Sequence, residues 1–331
     1  MILIDFLVLW DYNSICGDKM INKENIELFF DYVDQVSILL FDKEKQPYLE
    51  GMNEAFNFLL DDEFDKEYNE EIVSKIKEFK EQITGVNFQS EEVRKAVQLC
   101  LLRGYKHANE SNALITPDTI GIFISYLIQK LYGTKEIQTI FDPLIGTGNL
   151  LYTVANNLNK DVKVFGVDND MLKCKLSRNL GDLLDIENEI FFQDTLTYYD
   201  YGFDVIVSDI EDIFSDEYFP YQVINHHMDG LSDGGYFISL INNDFFEQPK
   251  NDVFKEEITK KGNIFGLIKL SESLFKNSPK SILIIRKKGK EVREVKDFLL
   301  VDLPSFSDLE EFNNTINKID SWFQNRKDDI Q

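Results

Sequence analysis

Four acidic side chains stand at the ends of short apolar runs of the kind that form buried strands. They are Asp142, Asp168, Asp194 and Asp209. In open α/β sheets the carboxyl ends of the strands face the ligand, so these side chains are expected to meet at one edge. Carboxylates there accept hydrogen bonds from hydroxyl and amine groups and attract cations. The pattern predicts a site for a cationic ligand rich in such groups.

A glycine turn follows the first of these carboxylates. Asp142 and Pro143 end a buried strand, the turn itself reads Gly146-Thr147-Gly148, and Asn149 begins a helical run. Glycines at such a turn let the backbone approach a ligand more closely than side chains would allow. The turn and the strand-end carboxylates therefore predict one binding site, with the turn as its floor.

The neighbours of the turn decide which nucleotide it suits. A phosphate-binding P-loop needs Lys and then Ser or Thr after Gly148, where Asn149 and Leu150 stand. A dinucleotide fingerprint needs a small residue in place of Leu151, and Asp142 would repel its pyrophosphate. S-adenosylmethionine has no phosphate and carries an ammonium, which Asp142 would attract. The sequence therefore predicts S-adenosylmethionine as the cofactor.

Two further carboxylates are placed to hold the nucleoside part of this cofactor. Asp168 comes about twenty residues beyond the turn, where an acidic side chain accepts from both ribose hydroxyls. Asp194 is placed for the adenine amine, with Thr195 beside it, and Leu196 or Met171 could sandwich the ring. The alternative is that each Asp caps the turn or helix after its strand, which is a common role of this residue.

The elements that position these residues follow from the apolar spacing. Helical stripes at 25–41, 52–59, 72–83 and 93–101 predict a small helical domain over residues 1–110. Residues 1–19 are either outside the fold, with Met20 as the true start, or a short element docked on it. The acidic segment 61–71 is interpreted as a solvated linker.

An α/β pattern begins at Thr116, which is predicted to cap a helix with Pro117 in its first position and Gly133 at its end. Apolar runs then alternate with helical ones. They predict a doubly wound, Rossmann-like sheet of seven parallel strands with helices on both faces, over residues 111–303. The seven strands are placed at 139–142, 164–168, 190–194, 203–209, 235–241, 264–270 and 281–286. A strand at 298–301 and an amphipathic C-terminal helix within 304–331 complete the chain.

Composition limits the partners. The formal net charge is −24, and acidic residues outnumber basic ones in both the helical part and the rest, so the basic footprint of unassisted nucleic-acid binding is missing. The three cysteines lie far apart and predict neither a disulfide framework nor a metal site. With no apolar run long enough for a bilayer, we expect a cytoplasmic protein without a membrane anchor.

Three other features are assigned structural roles. His226 and His227 are adjacent on a helix and point in different directions, so metal binding is not predicted. The basic run 286–296 is interpreted as a solvated hairpin end. The Phe-rich stripes of the helical domain are core, or a face for a homodimer or a protein partner.

Two motifs resemble the adenine-specific N6 DNA methylases typified by type I restriction modification subunits, and especially their smaller YtxK-like relatives. The motifs are Thr116-Pro117-Asp118 and the run from Asp142-Pro143 through Gly146-Thr147-Gly148-Asn149-Leu150, and the likeness covers about residues 88–300. The resemblance implies a class I methyltransferase fold. It also implies that Thr116 and Pro117 touch the methionine end of the cofactor, and that Asp168 and Asp194 contact ribose and adenine.

The target motif of that family is Asn or Asp followed by two prolines and an aromatic residue. Here Asp209 matches, Ile210 and Glu211 replace the prolines, and Phe214 is the candidate stacking residue. The resemblance implies that Asp209 accepts from the target amine and makes nucleic acid a candidate acceptor. If the acceptor amine or hydroxyl needs a base, Asp209 is the candidate, with Glu211 or Asp212 behind it. The predicted function is methylation of an amine of unknown identity. The alternatives are a weak or inactive methylase-fold module that binds the cofactor or a partner, and a nicotinamide-dependent oxidoreductase.

Overall fold

The structure is a computed structural model, which describes residues 21–111, 115–158, 161–213, 217–275, 278–293 and 297–326. The interpretation of residues 1–19 and the role predicted for Phe214 lie outside the described residues.

Four helices form the part of the N-terminal region that the structure describes, as the apolar stripes predicted. They are α1 (Lys23–Glu44), α2 (Tyr48–Asp61), α3 (Glu70–Glu81) and α4 (Ser90–His107). Side-chain caps fix two of the starts, because Asn22 accepts from the Glu24 amide and Asn69 from the Ile72 amide. In α1 the predicted apolar stripe is buried, including Ile26, Phe29 and Val33.

The remainder alternates helices and strands. Its elements are α5 (Asp118–Tyr132), β1 (Thr139–Asp142), α6 (Asn149–Asn157), β2 (Lys163–Asp168), α7 (Met171–Leu183), β3 (Asn188–Phe192), β4 (Phe203–Asp209), α8 (Phe219–His227), β5 (Leu231–Asn242), α9 (Asn251–Lys261), β6 (Gly262–Lys269), β7 (Lys280–Lys287), β8 (Leu299–Asp302) and α10 (Leu309–Gln324). All eight strands join one sheet in the order β3-β2-β1-β4-β5-β7-β6-β8. The predicted α/β sheet and C-terminal helix are therefore confirmed, with β8 as an eighth strand.

One strand direction differs from the prediction. β1 to β5 pair in parallel, but β7 is antiparallel to both β5 and β6. The physical reason is the short connection 270–279 between β6 and β7. A parallel crossover needs a dozen or more residues, so the chain turns back instead. β8 then pairs with β6 in parallel.

Two predicted boundaries near the site are also wrong. α5 begins at Asp118, with Pro117 in the cap position and no side-chain cap, because the hydroxyl of Thr116 is bonded to Asp209 instead. β3 ends at Phe192, so Asp194 does not end the strand. Asp194 caps a short 3₁₀ helix, Thr195–Thr197, that follows the strand. The predicted end of α5 at Gly133 is confirmed.

Successive residues of the central strands alternate between two apolar cores, one on each face of the sheet. In β4, Val205 and Val207 belong to one core and Ile206 to the other. The first core continues from Ile26 of α1 to Phe323 of α10, so the N-terminal helices pack against the same face.

The acidic segment between α2 and α3 contributes to this packing. Asp65 accepts from the amides of Asn53 and Asn57 and forms an ion pair with Lys175 of α7. The segment interpreted as a solvated linker thus ties α2 to a helix of the α/β part. None of the helices in the described ranges is both long and apolar enough to cross a membrane.

Candidate functional site

A cavity of about 260 Å³ opens at the carboxyl edge of the sheet, beside β1, β2 and β4. Most of the predicted site residues line it, namely Thr116, Asp142, Pro143, Gly146, Thr147, Asn149, Asp168, Asp194, Thr195 and Asp209. Pro117 and Gly148 are not among the lining residues. The structure therefore brings the strand-end carboxylates and the glycine turn together around one space.

The two glycines of the turn have different functions. Both have positive φ, 54° at Gly146 and 83° at Gly148, which favours glycine at each position. A Cβ on Gly148 would lie 2.6 Å from ring atoms of Tyr152 and 2.7 Å from the Ser177 hydroxyl. A Cβ on Gly146 would meet no atom within 4 Å. Gly148 thus lets the turn pack on α6 and α7, while Gly146 leaves open space beside the cavity.

Three of the carboxylates cap local backbone while they line the cavity. Asp142 Oδ1 accepts from the Leu144 amide at 2.9 Å, and Asp194 Oδ1 accepts from the Leu196 amide at 2.8 Å. Asp168 accepts from the Asp170 amide at 2.8 Å and, with its second oxygen, from the Gly146 amide at 3.0 Å. All three carboxylates therefore cap backbone amides, as the alternative interpretation predicted. Because they also line the cavity, this capping is compatible with ligand binding.

Asp142 is the most deeply placed of these groups, with 2% of the residue exposed. Burial raises the pKa of its carboxyl to about 7, against the effect of hydrogen bonds from the Leu144 amide and the Ser208 hydroxyl. The nearby carboxylates Asp209 and Asp168 raise this pKa further. A cation that entered the cavity would stabilise the charged form of Asp142.

Asp209 has partners on both oxygens. The Thr116 hydroxyl donates to Oδ2 at 2.8 Å, and the Lys280 ammonium forms an ion pair with Oδ1. Only 19% of the Asp209 side chain and 15% of the Lys280 side chain are exposed. Lys280 reaches this edge because it is the first residue of the antiparallel strand β7, paired with Asn242 at the end of β5.

Sequence reasoning missed Lys280, Lys173 and Tyr105 as lining residues. The signal for Lys280 was the short connection before β7, which fixes the direction of that strand. Tyr105 comes from α4 in the N-terminal helices, and its buried side chain lines the cavity together with Thr147 of the glycine turn. Nothing local in the sequence indicates this long-range contact.

A buried arginine holds α4 against the α/β part. Arg94, with 1% of its side chain exposed, donates from Nη1 and Nη2 to the two carboxylate oxygens of Asp118, at 2.9 and 2.8 Å. It also pairs with Glu91 at 2.7 Å. Burial opposes the charged guanidinium, but these two carboxylates hold the pKa of Arg94 well above its usual value.

Hydrogen bonds continue from Arg94 to the cavity. Arg94 donates to the Thr153 hydroxyl, which donates in turn to the carbonyl of Asn149 at 2.7 Å. The Asn149 amide donates to the carbonyl of Thr116 at 2.9 Å, and Thr116 bonds to Asp209. The helical part, the glycine-turn helix and the Asp209 side of the cavity are thus joined by one chain of contacts.

The two histidines have separate structural partners. His227 is buried behind the cavity, where its Nε2 lies 2.8 Å from the Thr195 hydroxyl. Burial lowers the pKa of His227 to about 3, so the ring is neutral near pH 7. The Nε2 atom of His226 lies 2.8 Å from the carbonyl of Tyr198. Neither contact resembles a metal site.

The described part of the basic run, residues 286–293, begins at the end of β7 that lies opposite the cavity edge. Lys287 and Lys288 donate to the carbonyls of Asp229 and Thr259. Arg286 is buried and stacks over the Tyr236 ring, which corrects its interpretation as part of a solvated hairpin end.

Comparison with family models matches both parts of the chain. Residues 27–105 match the YtxK N-terminal helical domain, and residues 100–331 match N-6 DNA Methylase. The chain belongs to the N-6 DNA methylase family. The resemblance inferred from the sequence motifs is therefore confirmed.

Individual relatives and solved structures agree with this. An uncharacterized protein, YtxK of Bacillus subtilis, is 30% identical over 331 residues, covering 92% of this chain and 99% of its own length. A putative class I S-adenosylmethionine-dependent methyltransferase from Listeria monocytogenes has a TM-score of 0.82 and 32% identity, covering 91% of this chain and 100% of that one. The chain therefore has the class I methyltransferase fold.

A more distant structure shares the fold. The modification subunit of a putative type I restriction enzyme from Vibrio vulnificus has a TM-score of 0.54 at 16% identity, covering 97% of this chain and 89% of that one. At this identity the likeness concerns architecture alone.

Proposed function

We propose that this chain binds S-adenosylmethionine in the cavity at the carboxyl edge of the sheet and transfers its methyl group to an amine. The observation that carries the proposal is the convergence of Asp142, Asp168, Asp194 and Asp209 on one cavity beside an open glycine turn. Such a donor set suits a cationic nucleoside without phosphates. Membership of the N-6 DNA methylase family supports the same chemistry.

Each side chain has a separate part in the proposed complex. Asp142 would pair with the ammonium of the cofactor near Thr116, and Asp168 would accept from the ribose hydroxyls. Asp194 and Thr195 would hold the adenine end, with Thr195 supported by His227. When bound, the cofactor supplies a methyl group on a sulfonium. The residues of this chain have to place an acceptor nitrogen in line with it and exclude water.

Asp209 stands at the acceptor end of the cavity. Its carboxylate would accept a hydrogen bond from the acceptor amine and take the proton that the nitrogen loses after methylation. Thr116 fixes the orientation of this carboxylate from one side. Methyl transfer by direct displacement depends more on the positioning of the two reactants than on strong base catalysis. One oriented carboxylate is therefore enough for this reaction.

A second candidate, a methylase-fold module that binds the cofactor without transferring methyl, is favoured by one observation. The motif after Asp209 is built differently from that of the family. The Ile210 amide donates to the carbonyl of Leu240 at 3.2 Å, which a proline there would be unable to do. The Lys280 ion pair also occupies one carboxylate oxygen of Asp209, so a target amine would have to compete with Lys280 for that oxygen.

Transfer of labelled methyl from S-adenosylmethionine separates the two candidates. The purified chain is incubated with DNA, RNA, protein and small-molecule fractions of cells. We expect label in one fraction, its loss with Asp209→Ala, and its retention with Asp302→Ala, a control that also ends a strand but lies outside the cavity. Cofactor binding without label in any fraction would favour the module.

A further inference from the structure

Lys280 is a cation at the acceptor end of the cavity. Its ammonium pairs with Asp209 and lies 5.5 Å from the centre of the Phe275 ring. Only 15% of the Lys280 side chain is exposed, so most of it is enclosed by the groups around it.

The charges that line the cavity are mostly negative. Asp142, Asp168, Asp194, Asp209 and Glu211 are the carboxylic side chains of the described lining, whereas its cations are Lys173 and Lys280. Of these two, Lys280 is the one in contact with the proposed acceptor residue. An anion would find its strongest attraction at the acceptor end on Lys280.

An amine acceptor has to compete for Asp209. Oδ2 already accepts from Thr116 and Oδ1 from Lys280, so an N–H group that binds Oδ1 takes over a place that the ammonium holds. Removing one partner from a desolvated ion pair leaves the other charge poorly stabilised. Replacement of Lys280 by the amine on Asp209 is favourable when the acceptor also carries an anionic group that pairs with the Lys280 ammonium.

We propose that the acceptor is a small amine that also carries a carboxylate or phosphate, with Lys280 binding this anion while Asp209 binds the amine. The inference rests on the proposed function and names its substrate class. Lys280 is then a specificity-determining residue. It selects among amines by the charge next to the nitrogen.

The transfer step balances with these groups. The acceptor nitrogen forms a bond to the methyl carbon as the carbon–sulfur bond breaks, and the electron pair of that bond remains on sulfur. The proton lost from the nitrogen passes to Asp209 and then to water. Lys280 stays protonated and paired with the anion of the acceptor throughout.

A small anion fits this molecule better than a polyanion. The chain carries a net charge of −24, and Glu211 lines the cavity near the acceptor end. A long nucleic acid would bring many phosphates against this negative charge, whereas a small acceptor brings a single anion, which Lys280 can pair directly.

The test uses the full chain, tritium-labelled S-adenosylmethionine and a deproteinised small-molecule extract of bacterial cells. Products are separated on an anion-exchange resin into retained and unretained fractions. We expect label in the retained fraction. Phosphatase treatment distinguishes the two sources of charge, since it releases a phosphorylated product from the resin and leaves a carboxylate retained.

Two variants give the matched comparison. Lys280→Met should slow labelling about tenfold or more at limiting extract, with partial recovery at high extract, because it removes a charge-assisted contact. Lys269→Met removes an exposed lysine beside the start of β7, outside the cavity lining, and should have no effect. Lys280→Arg keeps the charge and should retain most labelling, and thermal unfolding with cofactor titration verifies that each variant is folded and binds the donor.

Several outcomes would overturn the inference. Label in the unretained, nucleic-acid or protein fraction would do so, as would labelling by Lys280→Met at the rate of the unaltered chain. Cofactor binding without label from the unaltered chain would overturn methyl transfer itself and this inference with it. Label that is retained on the resin but indifferent to Lys280 would leave the proposed function standing and remove the inference alone.

Discussion

The charged form of Asp142, which the proposed role in cofactor binding requires, destabilises the free protein. Its burial raises the pKa from an ordinary value near 4 to about 7, so ionisation is disfavoured in the folded chain. A carboxyl group with a raised folded-state pKa stabilises the fold at low pH, and this stability is lost as the pH rises through about 7. The free protein thus keeps a destabilised charge where the proposed ligand supplies a cation.

Replacement by asparagine isolates this charge. Both hydrogen bonds to the Asp142 side chain end on Oδ1, from the Leu144 amide and the Ser208 hydroxyl, and the Oδ1 of asparagine accepts both. We expect Asp142→Asn to raise the free energy of unfolding at pH 8 by about 2 to 3 kcal/mol. The gain should fade between pH 7 and 4, as measured by urea unfolding across that range. A loss of stability at pH 8 would show that the charged carboxylate is not strained by burial.

At the level of individual residues, the sequence predicted which carboxylates line one cavity, but it did not predict their hydrogen-bond and ion-pair partners. The strand-end positions of Asp142, Asp168 and Asp209 follow from apolar runs, whose ends are readable from the chain. The partner of Asp209 was not readable, because Lys280 comes from a strand whose direction was wrongly predicted. Thr116 was likewise assigned to a helix cap, while its hydroxyl in fact bonds to Asp209.

At the scale of elements, α4 is fastened to α5 by the Arg94–Asp118 pair. Removal of a buried arginine leaves a carboxylate without its counter-charge, so Arg94→Met is expected to cost about 3 to 5 kcal/mol of unfolding free energy. Arg103→Met on the same helix is the control. Arg103 pairs with Asp34 at 2.9 Å, but 41% of its side chain is exposed, so about 1 kcal/mol or less is expected.

Urea unfolding of the two variants in parallel decides this prediction. Equal destabilisation by Arg94→Met and Arg103→Met would contradict the view that the buried pair fastens the helices. Since Arg94 is linked through Thr153 and Asn149 to Thr116, we also expect weaker cofactor binding in Arg94→Met and unchanged binding in Arg103→Met.

Apolar runs predicted the strands well because buried strands leave a continuous signature. All seven runs are strands of the sheet. Their direction depends on the connections instead, and the ten residues between β6 and β7 are too short for a parallel crossover. Helix starts were less predictable, since a Thr-Pro pair suits both a cap and the extended segment that the structure shows before Asp118.

For the whole molecule, the net charge of −24 limits the acceptor. Lys287 and Lys288, from the one basic run, bind backbone carbonyls at the far end of β7. We therefore expect no retention of a DNA duplex at about 0.15 M salt, where binding depends on released counterions. A gel-shift titration measures this, and tight binding at that salt would contradict the assignment of a small acceptor.

The packing of the N-terminal helices on the sheet could not be predicted from the sequence. Their apolar stripes predicted four helices but not the face on which they pack. The structure places them on a core that continues through the sheet to α10, and Tyr105 of α4 reaches the cavity. Contacts between distant segments depend on the assembled surfaces of both, which no local pattern contains.

Calorimetric titration with S-adenosylmethionine at pH 8 tests the central claim most directly. The account predicts saturable binding by the unaltered chain and by Asp302→Ala. It also predicts binding weakened about tenfold or more in Asp142→Asn, which keeps the local hydrogen bonds but lacks the charge. The absence of binding by the unaltered chain, or equal affinity in Asp142→Asn, would contradict it.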